Sequence, residues 1–213
     1  MPWTQALTST STSPSRSEER PNLRSAMRGS SGAASGSMWG VLTGVLGLRD
    51  SVGSFQEGSG WGNKIRVQEV PFEDWTLDGE LLRDVIRKAV AGQVAAPDGE
   101  VTPLSDRWVA STPVEALERL LAGQPGDFDD GRIALYVCQV DGDAGCGTLS
   151  ADVVIGPDIV EWRDLGWQVN YQPGIAGVDP PLSIRFGRSQ YEAVLRAALT
   201  RWQARASGQP SSG

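Results

Sequence analysis

The chain predicts an α+β fold: an antiparallel sheet of four or five strands with about three helices packed against it, behind a disordered N-terminal tail. Three observations carry that expectation. Residues 132–167 hold apolar runs separated by Gly- and Asp-rich turns, the pattern of consecutive antiparallel strands. Residues 80–91, 113–122 and 190–204 place apolar side chains at helical spacing. The strands also run together instead of alternating with helices, which argues against a doubly wound parallel sheet.

Residues 1–37 are dominated by Ser, Thr, Gly, Arg and Pro, as in TSTSTSPSRSEERP and GSSGAASGS. Such a segment offers too little apolar area to offset its ordering entropy, so it is read as a disordered tail. Residues 38–63 form an apolar, Gly-rich lead-in that opens with MWGVLTGVLGL, Met38–Leu48. Those eleven residues are too few to span a bilayer, which takes about 20. Three glycines interrupt them and no small-x-small cleavage pattern follows closely, so the run is read as packing on the domain. The expected compartment is the cytoplasm, with no membrane partner.

The domain proper is expected over residues 64–206, with 207–213 disordered. Ile65–Phe72 alternates and meets a turn at Pro71, which reads as a strand. Leu81, Leu82, Val85, Ile86 and Val90 then mark a helix that Gly92 ends. Thr112, Pro113 and Glu115 form a capping-box pattern ahead of Leu117, Leu120 and Leu121. Arg132–Cys138, Thr148–Ile155 and Ile159–Trp167 are the three consecutive strands, and Leu182–Phe186 is a short fourth. Ser189 stands where it would cap a final helix whose apolar face is Tyr191, Val194, Leu195, Ala198, Leu199 and Trp202. Trp162 and its alternate neighbours are expected to line the core face of their strand.

Composition narrows the chemistry. The chain has no histidine, so Ser–His–Asp and Cys–His mechanisms and His-containing zinc sites are excluded within it. The net charge is −7; the tail carries four arginines against two glutamates, +2, which leaves −9 for the remainder. A body this acidic repels a phosphate backbone, so nucleic acid is not an expected partner. It suits a basic protein, because complementary charge speeds encounter.

The leading expectation is therefore a non-enzymatic protein-binding domain of immunity-like or regulatory type, without a cofactor. Its candidate binding residues are Asp127, Asp129 and Asp130 in the loop GQPGDFDDG, and Glu161, Arg163 and Asp164 in EWRD. The alternative is a thiol- or metal-dependent protein. Cys138 and Cys146 are the only cysteines and flank a Gly/Asp turn in LYVCQVDGDAGCG. They read as two buried thiols beside a hairpin turn, as a disulfide or redox pair, or, with Asp141, as a metal site. The turn lacks the closing Glu of an EF-hand, and its glycines lack the Gly-Lys-Ser/Thr of a phosphate loop.

Residues 132–200 resemble a group of uncharacterised actinobacterial proteins that share L-Y-V-C-P-x-C-x-D-x-G-C-G, a W-R-D-F-G-like strand and a final helix. Cys138, Asp143, Gly145, Cys146 and Gly147 match the first segment, and Trp162, Arg163, Asp164 and Gly166 match the second, with Phe186 and Tyr191 near the end. Asp141 replaces the middle cysteine and Gln139 the proline. The resemblance implies no activity.

Overall fold

In a computed structural model of the chain, the described residues are 40–57, 66–90, 97, 99–122, 124–177 and 181–208. The expected tail over 1–37, the end of the lead-in and residues 209–213 lie outside them. Among the described residues the fold is α+β. In chain order the elements are β1 (Gly40–Thr43), β2 (Leu46–Glu57), β3 (Arg66–Leu77), β4 (Glu80–Leu81), α1 (Leu82–Val90), α2 (Ser111–Leu120), β5 (Ile133–Tyr136), β6 (Thr148–Ile155), β7 (Ile159–Val169), β8 (Gln172–Gly177), β9 (Leu182–Gly187) and α3 (Arg188–Ala206).

The strands form two sheets where one was expected. One has the order β1-β9-β7-β6-β5, with β8 added on β7; the other has the order β2-β3-β4. The consecutive strands β5, β6 and β7 pair antiparallel, and β9 returns antiparallel to β7. Only β1, which lies parallel to β9, departs from that pattern among the described strands.

The lead-in supplies strands to both sheets. Its described residues are divided between β1 and β2, and the chain passes between the sheets at Gly44 and Val45. The Gly44 amide donates to the Arg185 carbonyl at 3.1 Å, and the Val45 amide donates to Asp78 Oδ1 at 2.8 Å. A Cβ at Gly44 would lie 2.5 Å from Asp78 Oδ2 and 2.7 Å from Leu77 Cδ1. The glycine that interrupts the apolar run is thus what lets the two sheets approach there.

β3 continues past Pro71 to Leu77, beyond the turn that the proline suggested. Ser105 Oγ donates to the Pro71 carbonyl at 2.6 Å, and Glu73 exchanges bonds with the same segment, its amide to Leu104 O and its carbonyl from Thr102 Oγ. In a strand the N and O of one residue point to the same side. The missing Pro71 N–H therefore faces the 102–105 loop, and no ladder bond to β2 is lost.

Both expected helix caps are corrected. α2 starts at Ser111 with Ala110 as its cap residue and no side-chain cap bond, so Thr112 lies inside it. The Thr112 amide already donates to Val109 O at 2.8 Å, because the preceding turn nucleates the helix early. α3 starts at Arg188, ahead of Ser189. There the Arg188 amide donates to Asp158 O at 2.8 Å and its guanidinium to Gly156 O at 2.9 Å, anchoring the helix start on the β6–β7 turn.

Trp162 is fully buried and sits at the centre of the core. It meets Trp75 edge-on at 5.8 Å, Phe186 at 5.0 Å and Tyr191 at 6.2 Å between ring centroids. Its indole N–H donates to Tyr191 Oη at 3.2 Å, and that hydroxyl donates to Leu120 O at 3.0 Å, so the polar edges of both rings are satisfied. A second polar knot is buried beside it: the Asp74 carboxylate accepts from Arg83 Nε at 2.7 Å and Tyr136 Oη at 2.8 Å.

β7 changes face midway. Val160 and Trp162 point into the core, and so do Leu165 and Trp167, three residues further on instead of two. The parity shift is a bulge against β6 between Ser150 and Asp152, with Asp164 at φ +51°. Arg132, only 4% exposed, fills the space behind it. It donates to Ser150 Oγ at 3.0 Å, Ser150 O at 2.8 Å and Asp164 O at 2.6 Å. Burial pulls its pKa down, opposed by Asp130, Asp164 and Asp152.

Candidate metal centre

The turn between β5 and β6 is organised by its own aspartates. Val137 pairs both ways with Val101, which fixes the end of β5. The Gly142 amide then donates to Cys138 O at 2.8 Å, and Asp141 Oδ1 accepts from the Asp143 amide at 3.0 Å. Asp143 Oδ1 in turn caps the single 3-10 turn Ala144–Cys146, accepting from the Gly145 amide at 2.8 Å. Gly147, at φ +113°, leads into β6. Two successive Asp-stabilised turns reverse the chain and carry Cys146 back to Cys138.

The result is a cluster of three donor atoms, Cys138 Sγ, an Asp141 carboxylate oxygen and Cys146 Sγ, all within 4.8 Å of one another. Cys138 is half-buried, whereas Asp141 and Cys146 are exposed, so the expectation of two buried thiols is corrected. Neither cysteine is in a disulfide. The Cys146 thiol donates to Asp141 Oδ2 at 2.9 Å. That bond, with a further one from Cys138, pushes the Cys146 thiol up to about 12. The same hydrogen bond, helped by the Asp143 amide, draws the Asp141 carboxyl below its usual range. The proton rests on sulfur and the charge on the carboxylate.

Three features hold the loop. Arg107 Nη2 donates to Val140 O at 2.9 Å, and Gln139 Nε2 donates to Ser54 O at 2.9 Å. The Trp108 ring lies against Gly142, where an added Cβ would be 3.0 Å from the indole. A cleft of about 410 Å³ opens beside Asp141, walled by Arg107, Trp108, Val109, Thr112 and Val140. Arg107 and Trp108 lie about thirty residues upstream, and no local pattern marked them as supports of this turn.

A tetrahedral zinc site with Zn–S bonds of about 2.3 Å separates neighbouring donors by about 3.8 Å. The donors here lie no more than 4.8 Å apart, at most about 1 Å beyond that spacing, so the set could hold a metal ion. Three donors leave one position of a tetrahedron to solvent.

The other expected site residues fall elsewhere. Asp127, Asp129 and Asp130 line a second cleft of about 390 Å³ with Phe128, Gln168 and Tyr171. Asp127 is held inward there: its carboxylate accepts from the Ala134 amide at 2.9 Å and pairs with Arg119 at 3.3 Å. Asp130 accepts from the Arg132 amide at 3.1 Å, and Asp129 is exposed. Glu161, Arg163 and Asp164 are not in that cleft's wall. Glu161 pairs with Arg185 at 2.8 Å, Arg163 pairs with Asp152 at 3.1 Å, and Asp164 forms the bulge.

Compared with protein families, curated proteins and solved structures, the chain matches none.

Proposed function

We propose that this protein is a metal-binding domain that takes a thiophilic divalent ion, with Zn²⁺ as the reference ion, through Cys138, Asp141 and Cys146. The observation that supports it is the convergence of two sulfurs and a carboxylate within 4.8 Å on a turn built to bring them together. Two thiolates and a carboxylate are a donor set suited to zinc, whereas calcium and magnesium prefer all-oxygen sites.

Titration of the reduced full chain with Co²⁺ and Zn²⁺ tests this. One equivalent should bind, with thiolate-to-cobalt absorption. Cys138→Ser and Cys146→Ser should each lose that absorption. Asp141→Cys should bind more tightly than the native chain, and Asp141→Ala about tenfold more weakly or worse. Binding that survives both serine substitutions would place the ion elsewhere.

A second reading rests on the cleft lined by Asp129 and Asp130, where Tyr171 is 70% exposed. An acidic rim with an exposed tyrosine suits a basic protein partner. A pull-down at low and high salt tests it: capture lost on Asp129→Lys with Asp130→Lys supports the reading, and capture indifferent to salt and to both substitutions removes it.

A further inference from the structure

We infer that the metal site is redox-gated: oxidation of Cys138 and Cys146 to a disulfide by a peroxide expels the ion, and reduction restores the site. This rests on the metal reading above and adds its regulation. The two sulfurs are within 4.8 Å of each other, and a disulfide needs them to close to roughly 2 Å. The space for that closure lies on the Cys146 side. Cys146 ends a one-turn 3-10 segment and is followed by Gly147, whose Cβ position meets nothing within 4 Å. Cys138, by contrast, is anchored through the Val137–Val101 pairing and through its carbonyl's bond to Gly142. The exposed sulfur is thus the one an oxidant meets, and the half-buried sulfur is the one that resolves it.

The chemistry balances with hydrogen peroxide as the oxidant. The Cys146 thiolate attacks one peroxide oxygen; an S–O bond forms, the O–O bond breaks, and the departing hydroxide takes a proton from solvent to become water. The Cys138 thiolate then attacks the Cys146 sulfur; the S–S bond forms, the S–O bond breaks, and the second hydroxide takes a proton from solvent to become water. The two sulfurs together lose two electrons, the peroxide gains them, and the Zn²⁺ leaves unchanged in oxidation state. Asp141 alone remains as a donor. One exposed carboxylate does not retain zinc in competition with water.

The experiment uses the zinc-loaded full chain, hydrogen peroxide and a chromophoric zinc chelator. One zinc per chain should be released while the protein mass falls by two hydrogens and the chain stays monomeric on a non-reducing gel. Dithiothreitol should restore binding. In Cys138→Ser the resolving thiol is gone, so Cys146 should accumulate a sulfenic acid that dimedone traps. Zinc retained after full peroxide treatment, a mass gain of oxygen atoms without a disulfide in the native chain, or a disulfide-linked dimer would each overturn the inference. A reduced chain that binds no zinc overturns the metal reading itself, and the gating with it; that outcome is distinct because it appears before any oxidant is added.

Discussion

The Arg132 guanidinium donates to the carbonyl of Asp164 at 2.6 Å, tying a buried cation to the one residue of β7 with a positive φ. The bond explains how a strand can carry Trp162 and Leu165 on the same face. The bulge places one extra residue in the strand, and Arg132 satisfies the carbonyl that the bulge turns away from the ladder. Arg132→Met should therefore cost about 2–4 kcal/mol, because Ser150 O and Asp164 O lose a buried charged donor. Urea denaturation measures it, and a change under about 0.5 kcal/mol would show that the bulge stands without the arginine.

The bulge makes a paired prediction at Asp164. At φ +51° a glycine is relaxed and a β-branched residue is strained. Asp164→Gly should leave stability unchanged or raise it by up to about 1 kcal/mol, and Asp164→Val should lower it by about 1–3 kcal/mol. Equal denaturation midpoints for the two variants would contradict this.

Gly142 connects the metal turn to the rest of the domain. At φ +69°, with the Trp108 ring 3.0 Å from where a Cβ would stand, Gly142→Ala must displace the indole or the turn. The expected result is a shift in tryptophan fluorescence and weaker zinc binding, with the global melting temperature lowered by only a few degrees. Native zinc affinity in this variant would show that the turn does not need Trp108 beneath it.

Two buried tyrosines set the alkaline limit. Burial pushes Tyr191 up, and burial with the neighbouring Asp74 pushes Tyr136 up against the opposing pull of Arg83. In the unfolded chain a phenol ionises at about pH 10, so above that pH the unfolded state sheds protons that the folded state keeps. The stabilisation is fully present below about pH 10 and is lost as pH rises toward the folded values. Denaturation midpoints should fall between pH 9 and 11, and ultraviolet absorption should show two of the three tyrosines ionising only with unfolding. A midpoint flat across that range would mean that these phenols ionise in place.

The acidic cleft divides into structural and free carboxylates. Asp127→Ala should destabilise by about 1–3 kcal/mol, because the Ala134 amide and Arg119 lose their acceptor. Asp129→Ala should change stability by less than about 0.5 kcal/mol. The reverse order in thermal melts would show that the cleft is held together differently.

Much of this architecture was legible in local pattern. β6 runs over the expected residues Thr148–Ile155, β7 starts at Ile159 as expected, and Tyr191, Leu195, Ala198 and Trp202 form the buried face of α3. Period-2 and period-3.6 burial leave their mark on neighbouring residues, so they can be read without knowing the fold. The bulge was not legible: strict alternation from Trp162 was expected, and only the pairing with β6 shows the extra residue at Asp164. The chain by itself also determined the donor types of the turn and excluded histidine chemistry. Only the tertiary structure decided that residues 40–48 divide between two sheets, since strand partners such as Leu182 and Leu77 lie far along the chain. It alone decided that α2 and α3 need no side-chain caps, because distant carbonyls or earlier turns satisfy their starts. The spacing of Cys138 and Cys146 left buried thiols, a disulfide and a metal site all open, because spacing does not specify how a glycine-rich loop turns. The aspartate-capped turns, held by Arg107 and Trp108 from another segment, decided that the two sulfurs and Asp141 converge at the surface.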